Sequence, residues 1–167
     1  MLRKAALLAI LSIVFATRVS AQEPAGKKLP EHQSSSTKTP RLPDKALMQQ
    51  IMDAWATLDP AVAGKYYDQS PENVFFDDAG DVKFVGWLAY ENGIRKVMAG
   101  LQSVRWTVND DAVVHGAGNF AWGTATVHAE YLYKNGNRQV MEERWTLVWI
   151  KKDNWLVIHE HFSAPPV

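Results

Sequence analysis

The stretch FAWGTATVHAEYLYKNGNRQVMEERWTLVWIKKDNWLVIHEHF, residues 120–162, decides the fold. It is rich in β-branched and aromatic residues, alternates in character with a period of two, and is broken only at Asn135-Gly136 and Asp153-Asn154. That pattern predicts three long strands, Phe120 to Tyr133, Gln139 to Ile150 and Trp155 to Phe162, joined by tight turns. Asn-Gly between two long runs is a strong hairpin signal, because both residues tolerate the positive φ of a type I′ turn. A further run, Val104 to Val114, precedes them, with Gly116-Ala117-Gly118-Asn119 as its turn.

Upstream the period changes. Leu47, Ile51, Trp55 and Leu58, with Met48 and Met52, recur at three- and four-residue spacing after Pro43-Asp44, which predicts a helix to about Leu58. Asp59-Pro60 restarts a short helix through Tyr66 and Tyr67, and Trp87 to Leu101 forms a third, with Ile94, Val97, Met98 and Leu101 on one face. Val74 to Asp77 and Lys83 to Val85 read as short strands. Helices followed by an antiparallel meander give an α+β domain, a curved antiparallel sheet wrapped into a cone over three N-terminal helices. A ligand would sit between the concave face and the helices.

The remaining segments set the domain boundaries. Residues 1–21 have a basic start (Arg3, Lys4), an apolar stretch from Ala5 to Ala16, and Val19-Ser20-Ala21 before Gln22, the layout of a cleaved secretory signal peptide. The apolar run falls short of the roughly 20 residues that span a bilayer, so no membrane span is expected after cleavage and the protein is expected to be exported, periplasmic or secreted. Residues 22–42, rich in Pro, Ser, Thr, Lys and Gln, read as a disordered linker. The folded domain is expected over residues 43–167.

Composition excludes several functions. The chain has no cysteine, which removes disulfides, thiolate metal sites and thiol nucleophiles. Cleavage after Ala21 removes three basic residues, leaving 15 against 18 acidic ones, and no basic stripe remains for a nucleic acid. No glycine-rich phosphate loop or Ser-His-Asp order is present, and no cofactor is implied.

The order of elements carries a resemblance. Ala54-Trp55 through Asp59-Pro60, Lys65-Tyr66-Tyr67, Val74-Phe75-Phe76-Asp77, Gly86-Trp87 and Arg144-Trp145-Thr146, with Trp155 through Ser163, resemble a SnoaL-like domain of the nuclear-transport-factor-two-like (NTF2-like) superfamily over about residues 43 to 166. The closing Trp…His-x-His-x-Ser phrase also resembles the end of the association domain of calcium/calmodulin-dependent kinase. The resemblance implies a conical domain with a pocket, commonly a homodimer through the outer sheet face, with functions from isomerases, dehydratases and epoxide hydrolases to non-catalytic binding. Fold does not choose among these.

Asp77 stands where the resembling ketosteroid isomerases carry a general-base aspartate, and an apolar pocket would raise its basicity. The competing reading is an Asx-type turn before Gly80. The first helix lacks the tyrosine of that mechanism, its aromatic being Trp55; Tyr66 or Tyr67 would have to substitute. Arg144 resembles a pocket-facing arginine, or forms a surface pair with Glu143. His159 and His161, with His128 and Glu142, have metal-site spacing, but the His-x-His belongs to the family phrase, so no metal is expected. Along the last strand a bulge would exchange faces, which leaves Glu160 and His161 both as candidates. Tyr66, Trp87, Trp106, His128, Arg144, Glu160 and His161 are the candidate ligand contacts, with Asp77 the candidate catalytic group. The leading expectation is an exported homodimer holding a small organic ligand in an aromatic-lined cavity without turnover. A cofactor-independent isomerase or dehydratase, and a dimerisation or interaction module, are the alternatives.

Overall fold

The computed structural model describes residues 41–79 and 83–164. The expected signal peptide and nearly all of the expected linker lie outside the described residues. Helix α1 spans Lys45–Trp55, where Asp44 caps its start by accepting the Leu47 N–H at 3.0 Å, replacing a bond the first turn cannot make for itself. It ends three residues before the expected Leu58, because Leu58 takes a left-handed φ of 60° that no helix continues through. Helix α2 is the single turn Pro60–Ala63, followed by a 3₁₀ turn at Gly64–Tyr66. Helix α3 spans Trp87–Met98. At its start Gly86 has φ 83°, and a Cβ there would meet the Pro71 carbonyl oxygen at 3.0 Å, so glycine is required.

Seven strands make one curved open sheet: β1 (Val74–Phe76), β2 (Lys83–Val85), β3 (Leu101–Val108), β4 (Val113–Ala117), β5 (Phe120–Tyr133), β6 (Arg138–Lys151) and β7 (Trp155–Ser163). Their order is β2-β1-β7-β6-β5-β3, with β4 also on β5. All neighbours are antiparallel except β1 and β7, which run parallel.

The run expected as one strand from Val104 to Val114 is two. Asn109 to Ala112 turns the chain, held by the Asn109 N–H to the Thr126 carbonyl (3.0 Å) and by Asp111, which accepts the Thr126 N–H (3.0 Å) and hydroxyl (2.9 Å). β3 and β4 thereby share one edge of the long β5. The turn after β5 also differs from the type I′ expectation, since Gly136 has φ 85° but Asn135 does not have a positive φ. The Gly136 N–H closes a turn on the Tyr133 carbonyl and the Tyr133 N–H donates to Asn137, so one left-handed residue suffices.

The concave face carries the core. Ala121, Ala125, Val127 and Ala129 of β5 and Trp145, Leu147 and Trp149 of β6 are buried against Met48, Ile51, Met52 and Trp55 of α1 and Tyr90, Ile94 and Met98 of α3. Small residues on β5 make room: the Trp149 ring lies where a Cβ on Gly123 would come within 3.0 Å. In β7 the register slips around Ile158, with Trp149 opposite Val157 but Val148 opposite His159. The bulge puts both Val157 and Glu160 on the inner face and leaves His161 exposed.

Candidate functional site

A cavity of about 70 Å³ lies between α1, α3 and the concave face. Its apolar wall is Met52 of α1, Ile94, Val97 and Met98 of α3, and Leu101 of β3. Rings come from Trp55, Tyr90, Trp106, Tyr131 and Phe162. Four carboxyl-bearing residues face this wall: Asp77 and Asp78 just after β1, Glu143 of β6 and Glu160 of β7. No lysine, arginine or histidine lines it among the described residues.

Glu160 is 1% exposed and fully paired. One oxygen accepts from the Tyr67 hydroxyl (2.8 Å) and the Trp145 indole N–H (3.0 Å), and the other accepts from the Tyr90 hydroxyl. Tyr67 in turn accepts the Trp55 indole N–H at 2.8 Å. Burial pushes the Glu160 carboxyl up while the three donors hold it down, and both tyrosines are held well above their usual range by burial and by the charge beside them.

The Tyr90 hydroxyl also lies 3.3 Å from Asp77 Oδ2. A phenol has one hydrogen. If it goes to Glu160, the contact with Asp77 needs a proton on Asp77 to be a hydrogen bond in the full sense. Asp77 suits that role: its other oxygen accepts the Ala79 N–H at 2.8 Å, and burial, with Glu160 and Asp78 adding like charge, raises it to about 7. Asp77 thus forms the Asx-type turn and lines the cavity; the two readings of the sequence are compatible. The result is a continuous hydrogen-bonded row, Asp77, Tyr90, Glu160.

Glu143 differs. It is 1% exposed, and Oε1 accepts from the Tyr131 hydroxyl at 2.5 Å, which receives the Trp106 indole N–H at 3.2 Å. Its Oε2 is buried with no partner. Burial raises this carboxyl to about 7 as well, opposed by the Tyr131 bond and assisted by the charges of Asp78 and Asp77.

The structure therefore brings Asp77, Trp106 and Glu160 to one cavity. Trp87 is buried beneath it, packed on Trp55 and Tyr67 at ring separations of 6.1 and 4.9 Å. The other candidates lie elsewhere. Tyr66 sits at the end of the 3₁₀ turn with Lys65 over its ring. Arg144 is exposed on the outer face and donates to the Ala164 carbonyl at 3.3 Å, because its parity on β6 is opposite to that of Trp145 and Leu147. His128 is on the same outer face, bonded to Glu142 at 2.7 Å, and His161 is exposed. Among the described residues no group of three or more potential ligands is placed to hold a metal.

Glu143, Tyr90 and Tyr131 were not singled out from the sequence, though the signal was there. Glu143 shares parity with Trp145, Leu147 and Trp149, Tyr131 shares it with Ala125 and Ala129, and Tyr90 is one turn before Ile94.

The sequence pattern of the SnoaL-like domain family matches residues 45–167. The chain belongs to this family. Solved structures agree on the fold of the SnoaL-like domain. An NTF2-like superfamily protein from Salmonella enterica serovar Typhimurium superposes with a TM-score of 0.64 at 22% identity, covering 74% of this chain and 92% of that one. A proposed scytalone dehydratase from Novosphingobium aromaticivorans gives 0.64 at 10% identity over 73% and 81%. The association domain of C. elegans CaMKII gives 0.56 at 22% over 71% and 91%. No curated protein matches in sequence. No helix among the described residues is long and apolar enough to cross a membrane.

Proposed function

We propose that this SnoaL-like domain binds a small organic molecule in the cavity between α1, α3 and the sheet. The observation that carries this is the partnerless Glu143 Oε2, on a residue that lines the cavity together with apolar and aromatic side chains and three further carboxyls. A fold selected for stability alone would not keep a buried acceptor empty, since leaving one unsatisfied costs on the order of 1–3 kcal/mol. Native mass spectrometry of the protein purified from its host tests the reading: a retained small molecule supports it, and uniformly unliganded protein after broad screening counts against it.

A second reading rests on a different observation, the row Asp77, Tyr90, Glu160. A carboxyl near 7 at an apolar wall has the basicity to move a proton to and from carbon near neutral pH, the chemistry of a cofactor-independent isomerase or dehydratase. Under this reading the retained molecule takes up carbon-bound deuterium in heavy water, and Asp77→Asn abolishes the uptake without releasing the molecule. No uptake by the wild type leaves the domain a binder.

Export and assembly belong to the same proposal. Cleavage after Ala21 gives a mature N-terminus at Gln22, checked by N-terminal sequencing. A homodimer through the outer sheet face is supported by exposed Phe120, Trp122 and Val113, and the native mass reads it directly.

A further inference from the structure

We propose that the ligand of this cavity is an organic cation, a protonated amine whose N–H groups are accepted by Glu143 Oε2. The inference rests on the binding reading above and adds the chemical class. Three independent observations support it.

The first is charge. Carboxyls reach the cavity from three places, Asp77 and Asp78 after β1, Glu143 on β6 and Glu160 on β7, while α3 and β5 add only the phenols Tyr90 and Tyr131, and α1 adds no titratable group. The basic residues next to Glu143 and Glu160 in sequence do not line the cavity: Arg144 and His161 are exposed, and the His159 ring is bonded to the Val74 carbonyl at 2.6 Å. An anionic ligand would find repulsion and no counter-charge; a cation would find both attraction and acceptors.

The second is the state of the acceptors. Glu160 and Asp77 have their oxygens engaged by Tyr67, Trp145, Tyr90 and Ala79. Of the two fully buried carboxyls, Glu143 and Glu160, only Glu143 keeps an oxygen without a partner. The other partnerless buried side-chain atom among the described residues, Trp149 Nε1, belongs to a core residue that does not line the cavity, whereas Glu143 does line it. Its carboxyl, raised to about 7 by burial, releases its proton to solvent as the ammonium group arrives, and the resulting carboxylate–ammonium pair is neutral overall.

The third is the wall. The Tyr131 and Trp106 rings, edge to face at 5.8 Å, stand beside Glu143 and supply π-electron density for a cation. Ile94, Val97, Met98 and Leu101 offer a purely aliphatic surface for a short carbon tail.

Three probes of one size test this: butylammonium, butanol and butyrate, titrated calorimetrically at pH 8 into the wild-type protein and Glu143→Gln. The proposal expects butylammonium to bind at least tenfold more tightly than butanol, and butyrate not to bind. It expects E143Q to weaken butylammonium at least tenfold while changing butanol less than twofold. Butanol or butyrate binding as well as butylammonium, or unchanged amine affinity in E143Q, overturns the cation assignment and leaves the binding reading standing. Silence from all three probes overturns it too, while a neutral or anionic molecule retained in native mass spectrometry would still support binding. A readout without ligand guards against a folding artefact. E143Q without ligand is expected to melt at pH 8 no lower than the wild type, because the carboxylate is kept for a ligand; a clear fall in Tm identifies a structural role and overturns the proposal.

Discussion

Glu160 is held by three donors, and each would be stranded if the carboxylate were removed. Glu160→Ala is expected to destabilise the domain by about 3–5 kcal/mol, at roughly 1–3 kcal/mol for each buried donor left unsatisfied, whereas Glu160→Gln retains an acceptor and is expected to cost about half as much. Urea unfolding measures both. Tyr90→Phe removes one of these three donors while keeping the ring, and is expected to cost about 1.5–3 kcal/mol in the same unfolding measurement. At this scale the sequence was informative where a residue's place follows from the order of elements, as for Asp77, and where both faces of β7 were kept open, as for Glu160. It was uninformative for Arg144, since the family phrase suggested the interior and strand parity put it outside. Glu143 entered only as a surface partner of Arg144, yet successive residues of one strand point to opposite faces, so Arg144 outside places Glu143 inside.

Elements meet through a few small residues, and Gly93 of α3 shows how tightly. A Cβ there would fall 2.1 Å from the Phe84 ring of β2. Alanine normally favours a helix over glycine by about 1 kcal/mol, but here the clash is expected to win, so Gly93→Ala is expected to destabilise by about 1–3 kcal/mol in thermal or urea unfolding. A stabilised variant would mean that Phe84 moves freely. The existence and type of every long element could be read from periodicity, since β5 and β6 alternate cleanly, β7 is rich in β-branched and aromatic residues, and α1 and α3 repeat at helical spacing. Ends and interruptions could not. The division of β3 from β4 depends on Asp111 reaching across to Thr126, and the Ile158 bulge depends on register with β6, neither of which is a local property of the sequence.

At the scale of the whole molecule, the cavity makes stability depend on pH in an unusual direction. Most domains lose stability on acidification because paired carboxylates must take up protons. Here Asp77 and Glu143 lie at about 7, well above the usual carboxylate range near 4, and burial also raises Asp78 and Glu160. A group raised in the folded state keeps its proton while the unfolded chain has released it. The folded state then binds more protons between about pH 4 and 7, so its stability falls as pH rises through that window and is level above it. The exposed surface pairs, such as Arg95 with Glu91, contribute little against this. The expected result is a domain more stable at pH 5 than at pH 8 by about 1–3 kcal/mol, measured by urea unfolding across the range. E143Q and D77N should each reduce the slope, and the double variant should keep only the smaller part that comes from Asp78 and Glu160. Stability that rises steadily from pH 5 to 8 would mean that both carboxyls are ionised in the folded protein near their ordinary values, and that the cavity is wetter and more open than its packing implies.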